Sequence, residues 1–289
     1  MMKKLVIALA WGAITCMSAY ATVVRAPLEF IDGTPAVSLE LNGRPTQFIL
    51  DTGASLALYL PKALADKISQ LKPGSAQRTF DLRGAVQESQ GFTIDGFGLS
   101  GVDFGAVSGS YLVPSGFSVS GPNKFNDRVP VLGLTLFARK AVLLDFSGRQ
   151  FVLADTLDEL LPNGKSGWRS LPAERTRQGL MVSFQGGRKQ YRMALDSAGN
   201  MSVVKADAVP PDEEKGSCPM QINGQAQCQY IEVGVAGVDS ITPVMVGLPA
   251  AFQADGVAGR DFFEKVRLIY DGATGQVLLQ DVDGKIHAP

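Results

Sequence analysis

The stretch Phe-Ile-Leu-Asp-Thr-Gly-Ala-Ser-Leu-Ala-Leu, residues 48–58, decides the fold of this chain. Its first three residues are apolar and predict a buried strand that delivers Asp51 into a tight turn at Thr52 and Gly53. The chain then becomes apolar again. Because burying an unpaired carboxylate is costly, an acid in so hydrophobic a run indicates a second group that shares its site.

The pattern around Asp51 occurs a second time, around Asp196. Val37 precedes Asp51 by the same number of residues as Val182 precedes Asp196. An apolar pair followed by glycine is also repeated, and a strand ending in aspartate follows each copy at the same distance. These elements are Val131, Leu132 and Gly133 before Asp145, and Val257, Ala258 and Gly259 before Asp271. Such self-similarity predicts two copies of one structural unit.

Residues 51–55, Asp-Thr-Gly-Ala-Ser, resemble the catalytic loop of retropepsin-like and pepsin-like aspartic peptidases, in which two such loops each contribute one carboxylate. The resemblance implies an all-β, bilobal fold of the double-psi β-barrel type with few short helices. It implies that Asp51 and Asp196 are the catalytic pair, which shares one proton and activates a water molecule. The residues expected to support the two catalytic loops are Thr52, Gly53 and Ala54, and Ser197, Ala198 and Gly199.

The two apolar stretches that end in glycine are expected, by the same resemblance, to pass beneath the catalytic loops. A side chain on Gly133 or Gly259 would collide there with crossing backbone. A mobile hairpin over the cleft is expected to have its tip at Arg83, Gly84 and Ala85, although an ordinary surface turn explains these residues equally well.

The expected activity is that of an aspartic endopeptidase, a hydrolase whose peptide or protein substrate lies extended in the cleft between the lobes. One residue departs from the family pattern, because Ala198 stands where the family has glycine. If that position needs a positive φ, alanine displaces Asp196 and the fold serves instead as a peptide- or protein-binding module of the cell envelope. If φ is negative, the alanine is harmless. A glycosidase-like enzyme with two acids would not need the duplicated frame.

Composition excludes several other functions. The chain has 289 residues, of which 45% are hydrophobic and 19% charged, with a net charge of −1 and a pI near 5.9, so no nucleic-acid partner is expected. The single histidine, His287, cannot supply a histidine relay or a histidine-rich metal site. The glycine-rich run at residues 96–101 spells a dinucleotide fingerprint but leads into a predicted strand rather than a helix. No cofactor and no metal are therefore expected.

The first 21 residues have the pattern of a signal peptide, with a basic start, an apolar centre and small residues before a cleavage site. We therefore expect a bacterial exported protein that is periplasmic or secreted, has no membrane span after signal removal and is a monomer. The predicted units are the signal peptide at 1–21, an N-terminal lobe at 22–155, a linker at 156–167 and a C-terminal lobe at 168–289.

Two cysteines, Cys218 and Cys228, lie outside the signal segment. They flank a predicted three-residue hairpin loop at 222–224, which places them opposite one another on neighbouring strands. An exported protein with this pair is expected to form a disulfide; the alternative is two buried free thiols.

Overall fold

The computed structural model describes residues 23–80, 86–113, 129–176, 179–218, 221–222, 225–226, 228–245 and 252–282. Three sequence predictions lie outside these residues: the signal peptide at 1–21, the hairpin tip at Arg83, Gly84 and Ala85, and the position of His287.

The chain is built from short strands with few helices. The N-terminal half contains β1 (Val24–Ile31), β2 (Thr34–Leu41), β3 (Arg44–Asp51), β4 (Leu58–Leu60), α1 (Lys62–Ala65), β5 (Leu71–Phe80), β6 (Val86–Leu99), β7 (Val102–Tyr111), β8 (Val131–Gly133), a 3₁₀ helix (Leu134–Phe137), β9 (Ala141–Asp145) and β10 (Gln150–Ala154). The C-terminal half contains α2 (Leu157–Leu160), β11 (Arg169–Leu171), β12 (Ala173–Thr176), β13 (Gly179–Gln185), β14 (Gln190–Leu195), β15 (Val203–Lys205), a second 3₁₀ helix (Ala206–Ala208), β16 (Gly216–Ser217), β17 (Gln221–Ile222), β18 (Gln225–Ala226), β19 (Gln229–Val235), β20 (Val238–Met245), β21 (Gly256–Ala258), α3 (Arg260–Phe263), β22 (Val266–Asp271) and β23 (Gln276–Asp281).

Each half contains the same crossing of strands. In the N-terminal half, β3 pairs in parallel with β8, and β8 pairs antiparallel with β4. In the C-terminal half, β14 pairs in parallel with β21, and β21 pairs antiparallel with β15. The prediction of an all-β fold with few short helices, built from two copies of one unit, is confirmed by this topology.

The two halves share a sheet. Among the described strands, the longer sheet has the order β11-β23-β22-β9-β10-β1-β2-β3-β8-β4-β7-β6-β5, so that strands from the end of the chain join strands from its beginning. β9 and β22 pair antiparallel across this junction. The second sheet, β12-β13-β14-β21-β15-β20-β19-β16, belongs entirely to the C-terminal half. The predicted linker at 156–167 contains α2, whose Leu157 is buried against the shared sheet.

A two-residue turn connects β2 to β3, the strand that carries Asp51. Asn42 and Gly43 both have positive φ, at 52° and 73°, and the strands close with Leu41 opposite Arg44. Asparagine and glycine tolerate this conformation, which matches the twist of the flanking strands. An Asn-Gly pair between alternating apolar residues predicts such a hairpin from sequence, and the hairpin present here leads directly to Asp51.

Two local predictions need correction. After Pro61, the helical spacing of Leu64, Ile68 and Leu71 in the sequence predicts one short helix that runs to Leu71. In the structure, α1 ends at Ala65 and Leu71 begins β5, where it pairs with Ile94. The last part of this segment therefore pairs in the sheet, because so short a segment does not form a stable helix by itself. Ile222, predicted as the first residue of a hairpin loop at 222–224, instead belongs to β17 and pairs with Gln225; the rest of the predicted loop lies outside the described residues.

A disulfide joins Cys218 to Cys228 as predicted. Their Cα atoms lie 5.2 Å apart, and the Cys218 N–H donates to the Cys228 carbonyl oxygen at 3.0 Å. Within the described part of the chain, no helix has the length and apolar character needed to cross a membrane.

Candidate active site

Asp51 and Asp196 occupy matching places in the two halves. Asp51 is the last residue of β3 and lies opposite Gly133 of the parallel strand β8. Asp196 directly follows β14, and its backbone N–H donates to the carbonyl oxygen of Ala258 at 3.0 Å. Each aspartate is therefore held at the end of a buried strand by the strand that runs beside it.

The two carboxyl groups are hydrogen-bonded to one another. Backbone donors orient each of them: Gly53 donates to Asp51 Oδ1 at 2.8 Å, and Ala198 and Gly199 donate to Asp196 Oδ1 at 3.0 and 2.9 Å. Both aspartates keep partial solvent exposure, although their carboxyl groups are densely surrounded by protein atoms. The structure thus brings together the two acids that the sequence predicted as a pair.

The environment favours one proton on this pair. Burial, followed by the negative charge of Asp196, raises the pKa of Asp51 from 3.8 to about 8. Burial also raises the pKa of Asp196, against the opposing effect of the N–H donors of Gly199 and Ala198. Because the two groups share a hydrogen bond, these values describe the pair as a unit. The raised pKa values therefore indicate one proton shared between the two hydrogen-bonded carboxyl groups.

Thr52 and Ser197 bind the two loops to each other. The Thr52 N–H donates to Ser197 Oγ at 3.0 Å, and the Ser197 N–H donates to Thr52 Oγ1 at 2.8 Å. Each hydroxyl then donates across the interface, Thr52 Oγ1 to Leu195 O at 2.7 Å and Ser197 Oγ to Leu50 O at 2.8 Å. Both side chains are buried, so these bonds fix one loop relative to the other.

Gly133 and Gly259 lie beneath the two loops, where there is no room for a side chain. A Cβ on Gly133 would overlap the carbonyl oxygen of Leu56, and one on Gly259 would reach 2.9 Å from the carbonyl oxygen of Gly199. The backbone at both glycines is extended, with φ of −93° and −100°, so no positive φ is involved. The partners of these glycines, Val131, Leu132, Val257 and Ala258, are buried.

Ala198 does not occupy the left-handed region. Ala198 is not among the described non-glycine residues with positive φ, and its N–H donates to Asp196 Oδ1. The alanine therefore imposes no φ strain on the loop, which was the condition for it to be harmless. In the other loop, a Cβ on Gly53 would lie 3.0 Å from Asp196 Cγ, so space is tight on that side of the pair.

An apolar cluster flanks the pair in each half, and sequence reasoning did not identify it. Ile49 lies two residues before Asp51, so both side chains face the same side of β3, and Val131 opposite Ile49 shares that side. Tyr59 packs against this cluster and its hydroxyl is hydrogen-bonded to Ser55 Oγ at 2.9 Å. In the C-terminal half, the matching cluster contains Met181, Ala194, Phe252 and Ala254. The two-residue periodicity before each aspartate was the signal that could have found them.

A metal site is not formed by the described residues, among which no group of three or more His, Cys, Asp or Glu side chains could hold an ion. A cavity of about 320 Å³ lies away from the carboxyl pair, between Asp103, Phe104, Gly105, Leu136, Arg139 and Lys140.

Comparison with known proteins shows which family model and which solved structures this chain resembles. Residues 37–116, which contain the Asp51 loop, match a family model described as aspartyl protease. The crystal structure of an aspartic proteinase from Irpex lacteus is similar to this chain, with a TM-score of 0.51 and 14% sequence identity. The similarity covers 92% of this chain and 99% of that proteinase. Conglutin gamma from lupine seeds and basic 7S globulin from soybean are also similar, each with a TM-score of 0.51, at sequence identities of 9% and 11%. Each similarity covers 90% of this chain and 95% of the globulin. A comparison with curated protein sequences gave no match.

The match and the fold together confirm the resemblance to the aspartic peptidase family. At these identities the structural neighbours share the fold alone, and two of the three are named globulins. One fold serves proteins of different function, and the chemistry of this chain depends on its own carboxyl pair.

Proposed function

We propose that this protein is an aspartic endopeptidase in which Asp51 and Asp196 activate a water molecule for attack on a peptide bond. One observation carries the proposal: two loops from two halves of the chain meet with their carboxyl groups in hydrogen-bonding contact. A structural ion pair does not explain this contact, because both groups are acids and their proximity is unfavourable unless they share a proton. Paired acids with raised pKa values are suited to acid–base catalysis.

The reaction proceeds in two proton-balanced steps. In the first, ionised Asp196 takes a proton from water, the oxygen attacks the peptide carbonyl carbon, and Asp51 gives its proton to the carbonyl oxygen. In the second, the resulting gem-diol collapses: Asp196 protonates the leaving nitrogen while Asp51 takes a proton from a diol hydroxyl. The C–N bond breaks, and the pair returns to its starting state, with Asp51 protonated and Asp196 ionised.

The apolar clusters suggest the substrate. Partly exposed aromatic side chains lie at the edge of each cluster: Tyr59 packs against the cluster of Ile49 and Val131, and Phe252 packs against the cluster of Met181 and Ala194. A peptide lying extended between the halves would present apolar side chains on both sides of the scissile bond. We therefore propose an unfolded peptide or protein substrate with hydrophobic residues at the cleavage site. The enzyme would be an exported monomer, periplasmic or secreted, which is consistent with its disulfide.

The alternative function is a peptide- or protein-binding module that uses the peptidase fold without catalysis. Two observations favour it: Ala198 adds a methyl group where the family has glycine, and proteins named as globulins share this architecture. The intact hydrogen bonds that orient both aspartates favour catalysis instead.

Cleavage of labelled, unfolded casein by the purified chain from residue 22 onward tests the proposal. Asp51→Asn and Asp196→Asn each preserve the side-chain shape but remove one titrating oxygen, so each should reduce cleavage by at least about 100-fold. Asp103→Asn is the matched control, since that exposed side chain accepts a hydrogen bond from the Gly105 N–H, as Asp51 accepts one from Gly53. Binding of casein without cleavage by the unmodified protein would support the binding module instead.

A further inference from the structure

Helix α3 is tied firmly to the loop that carries Asp196. The Arg260 N–H donates to the Gly199 carbonyl oxygen at 2.8 Å, and the Gly199 N–H in turn donates to Asp196 Oδ1 at 2.9 Å. Ser202 strengthens this connection, because its Oγ accepts from the Gly259 N–H at 3.0 Å and donates to Asp261 Oδ1 at 2.8 Å. Any movement of α3 is therefore transmitted to Asp196.

The same helix reaches the N-terminal half through two side chains. The Arg260 guanidinium lies over the Phe30 ring, 4.8 Å from its centroid, and Phe263 stacks on Phe146 at 5.1 Å with an interplanar angle of 25°. Phe30 and Phe146 also contact one another, at 5.4 Å. Arg260 and Phe263 are three residues apart, so one face of α3 makes both contacts.

Arg260 also contacts the turn between β1 and β2. Its Nη1 donates to the Gly33 carbonyl oxygen at 3.4 Å, and a Cβ on Gly33 would lie only 3.1 Å from that nitrogen. The β1–β2 hairpin continues to the first catalytic loop, because β2 pairs with β3, with Ala36 opposite Ile49, and β3 ends at Asp51. A single side chain thus connects the structural supports of both aspartates.

We propose that Arg260 is a positioning residue that sets the separation of the Asp51 and Asp196 carboxyl groups, by clamping the β1–β2 hairpin onto α3. This inference depends on the proposed peptidase function only for its activity measurement. Arginine is suited to the task because its planar guanidinium stacks on Phe30 while its remaining N–H groups reach Gly33 and Glu264, to which Nε donates at 2.6 Å.

Separation matters because proton sharing between two acids depends steeply on their distance. When the carboxyl groups move apart, repulsion between their charges weakens and the two apparent pKa values of the pair converge. The other titratable group with a resolved interaction at this site is Tyr59, whose own raised pKa is due first to burial. The charge of Asp51 also raises the pKa of Tyr59, so Tyr59 responds to ionisation of the pair.

Arg260→Met and Arg149→Met provide a matched pair of variants. Arg149 also lies over the Phe30 ring, at 5.8 Å, but belongs to the same half of the chain as Phe30. Both substitutions remove a cation from one aromatic ring, and only Arg260→Met removes a contact between the halves. Arg260→Lys, which keeps the charge without the planar group, is a third variant for the case in which Arg260→Met is poorly folded.

The first measurement is the titration of the aspartate carboxyl groups by ¹³C NMR in the full chain. We expect the two apparent pKa values of the pair to converge by about one unit in Arg260→Met, by less in Arg260→Lys, and not at all in Arg149→Met. The second is cleavage of a casein-derived peptide, in which kcat should fall about tenfold in Arg260→Met with KM unchanged.

Unchanged pKa values in both Arg260 variants, or an equal shift in Arg149→Met, would overturn the proposed clamp. A rise in KM with kcat unchanged would also overturn it, by making Arg260 a substrate contact. If the unmodified protein cleaves nothing, the titration alone still decides, so failure of the clamp and failure of the peptidase function are distinguishable.

Discussion

Thr52 and Ser197 each give a backbone N–H to the other's side-chain oxygen, at 3.0 and 2.8 Å. The exchange joins residues from the two halves of the chain directly beside the two aspartates. Because both hydroxyls are buried and also donate to carbonyl oxygens of the opposite half, removal of either leaves polar groups without partners. This reciprocal pair therefore joins the two loops at the residue that directly follows each aspartate.

Thr52→Val should destabilise the protein and reduce cleavage. Valine has the shape of threonine but leaves Leu195 O and the Ser197 N–H unpaired, which should lower the free energy of unfolding by about 2 kcal/mol. Displacement of the loop should reduce kcat by about 100-fold. Urea denaturation and peptide cleavage measure the two effects.

Thr46→Val is the control for this change. Thr46 lies in the same strand, and its hydroxyl donates to Arg44 O at 3.2 Å in an exposed setting. Its replacement should change stability by less than about 0.5 kcal/mol and leave cleavage unaffected. Equal effects of the two substitutions would contradict a special role for the Thr52 bonds.

The repeated spacings of the sequence were sufficient to predict the frame of the site. Asp51 and Asp196 follow matching strands, and Gly133 and Gly259 fill matching positions, because each depends on local pattern and chain order. The hairpin at Asn42 was equally local, since its conformation depends on two residues. Features of this kind are encoded within a few residues and survive tertiary packing.

Contacts between distant residues could not be predicted in this way. The position of Arg260 over Phe30 depends on how two halves pack, and neither residue belongs to a recognisable motif. The same holds for Tyr59, which joins an apolar cluster from a separate strand. The helix expected to extend to Leu71 was wrong because pairing with Ile94, a tertiary contact, prevailed over helical periodicity.

Asp51→Asn should stabilise the folded protein at neutral pH. A carboxyl group whose folded pKa lies above its unfolded value binds its proton more tightly when folded, so stability is lost as pH rises from about 4 towards the folded value of about 8. Asparagine removes this penalty, and we expect a gain of about 1 kcal/mol or more at pH 7.5 that shrinks towards pH 4. Thermal unfolding at the two pH values measures it; a variant that is less stable at both would contradict the raised pKa.

Peptide cleavage should persist at neutral pH and fall on the alkaline side. The reaction needs one proton on the pair, and this proton is lost as pH rises through the raised pKa of Asp51, near 8. On the acid side, the rate should fall when Asp196 also becomes protonated. Because burial raises the pKa of Asp196 above its ordinary value of 3.8, this fall should begin at a pH above 3.8. The pH dependence of kcat from pH 3 to 10 measures both limbs, and a rate that still rises above pH 9 would exclude a shared-proton mechanism.

Reduction of the Cys218–Cys228 disulfide should lower stability without abolishing the fold. The bond closes a short hairpin in the C-terminal half, and the loop-entropy estimate gives a contribution of about 3 kcal/mol. Intact-mass analysis should show a gain of two hydrogen atoms on reduction, and the unfolding temperature should drop. The double variant Cys218→Ser and Cys228→Ser should not respond to reductant; two free thiols in the untreated protein would contradict the bridge.

Ala198→Gly should change activity little if the alanine is compatible with catalysis. Ala198 has no positive φ and its N–H already orients Asp196, so glycine offers no conformational relief. The added backbone freedom of the unfolded chain should instead lower the free energy of unfolding by about 0.5 to 1 kcal/mol. We expect kcat/KM to remain within about threefold of its original value, measured beside Ala54→Gly, which makes the same change in the loop of Asp51. Cleavage that is absent in the natural protein and present only in Ala198→Gly would show that the methyl group blocks the reaction, and the natural protein would then be a binding module on a peptidase frame.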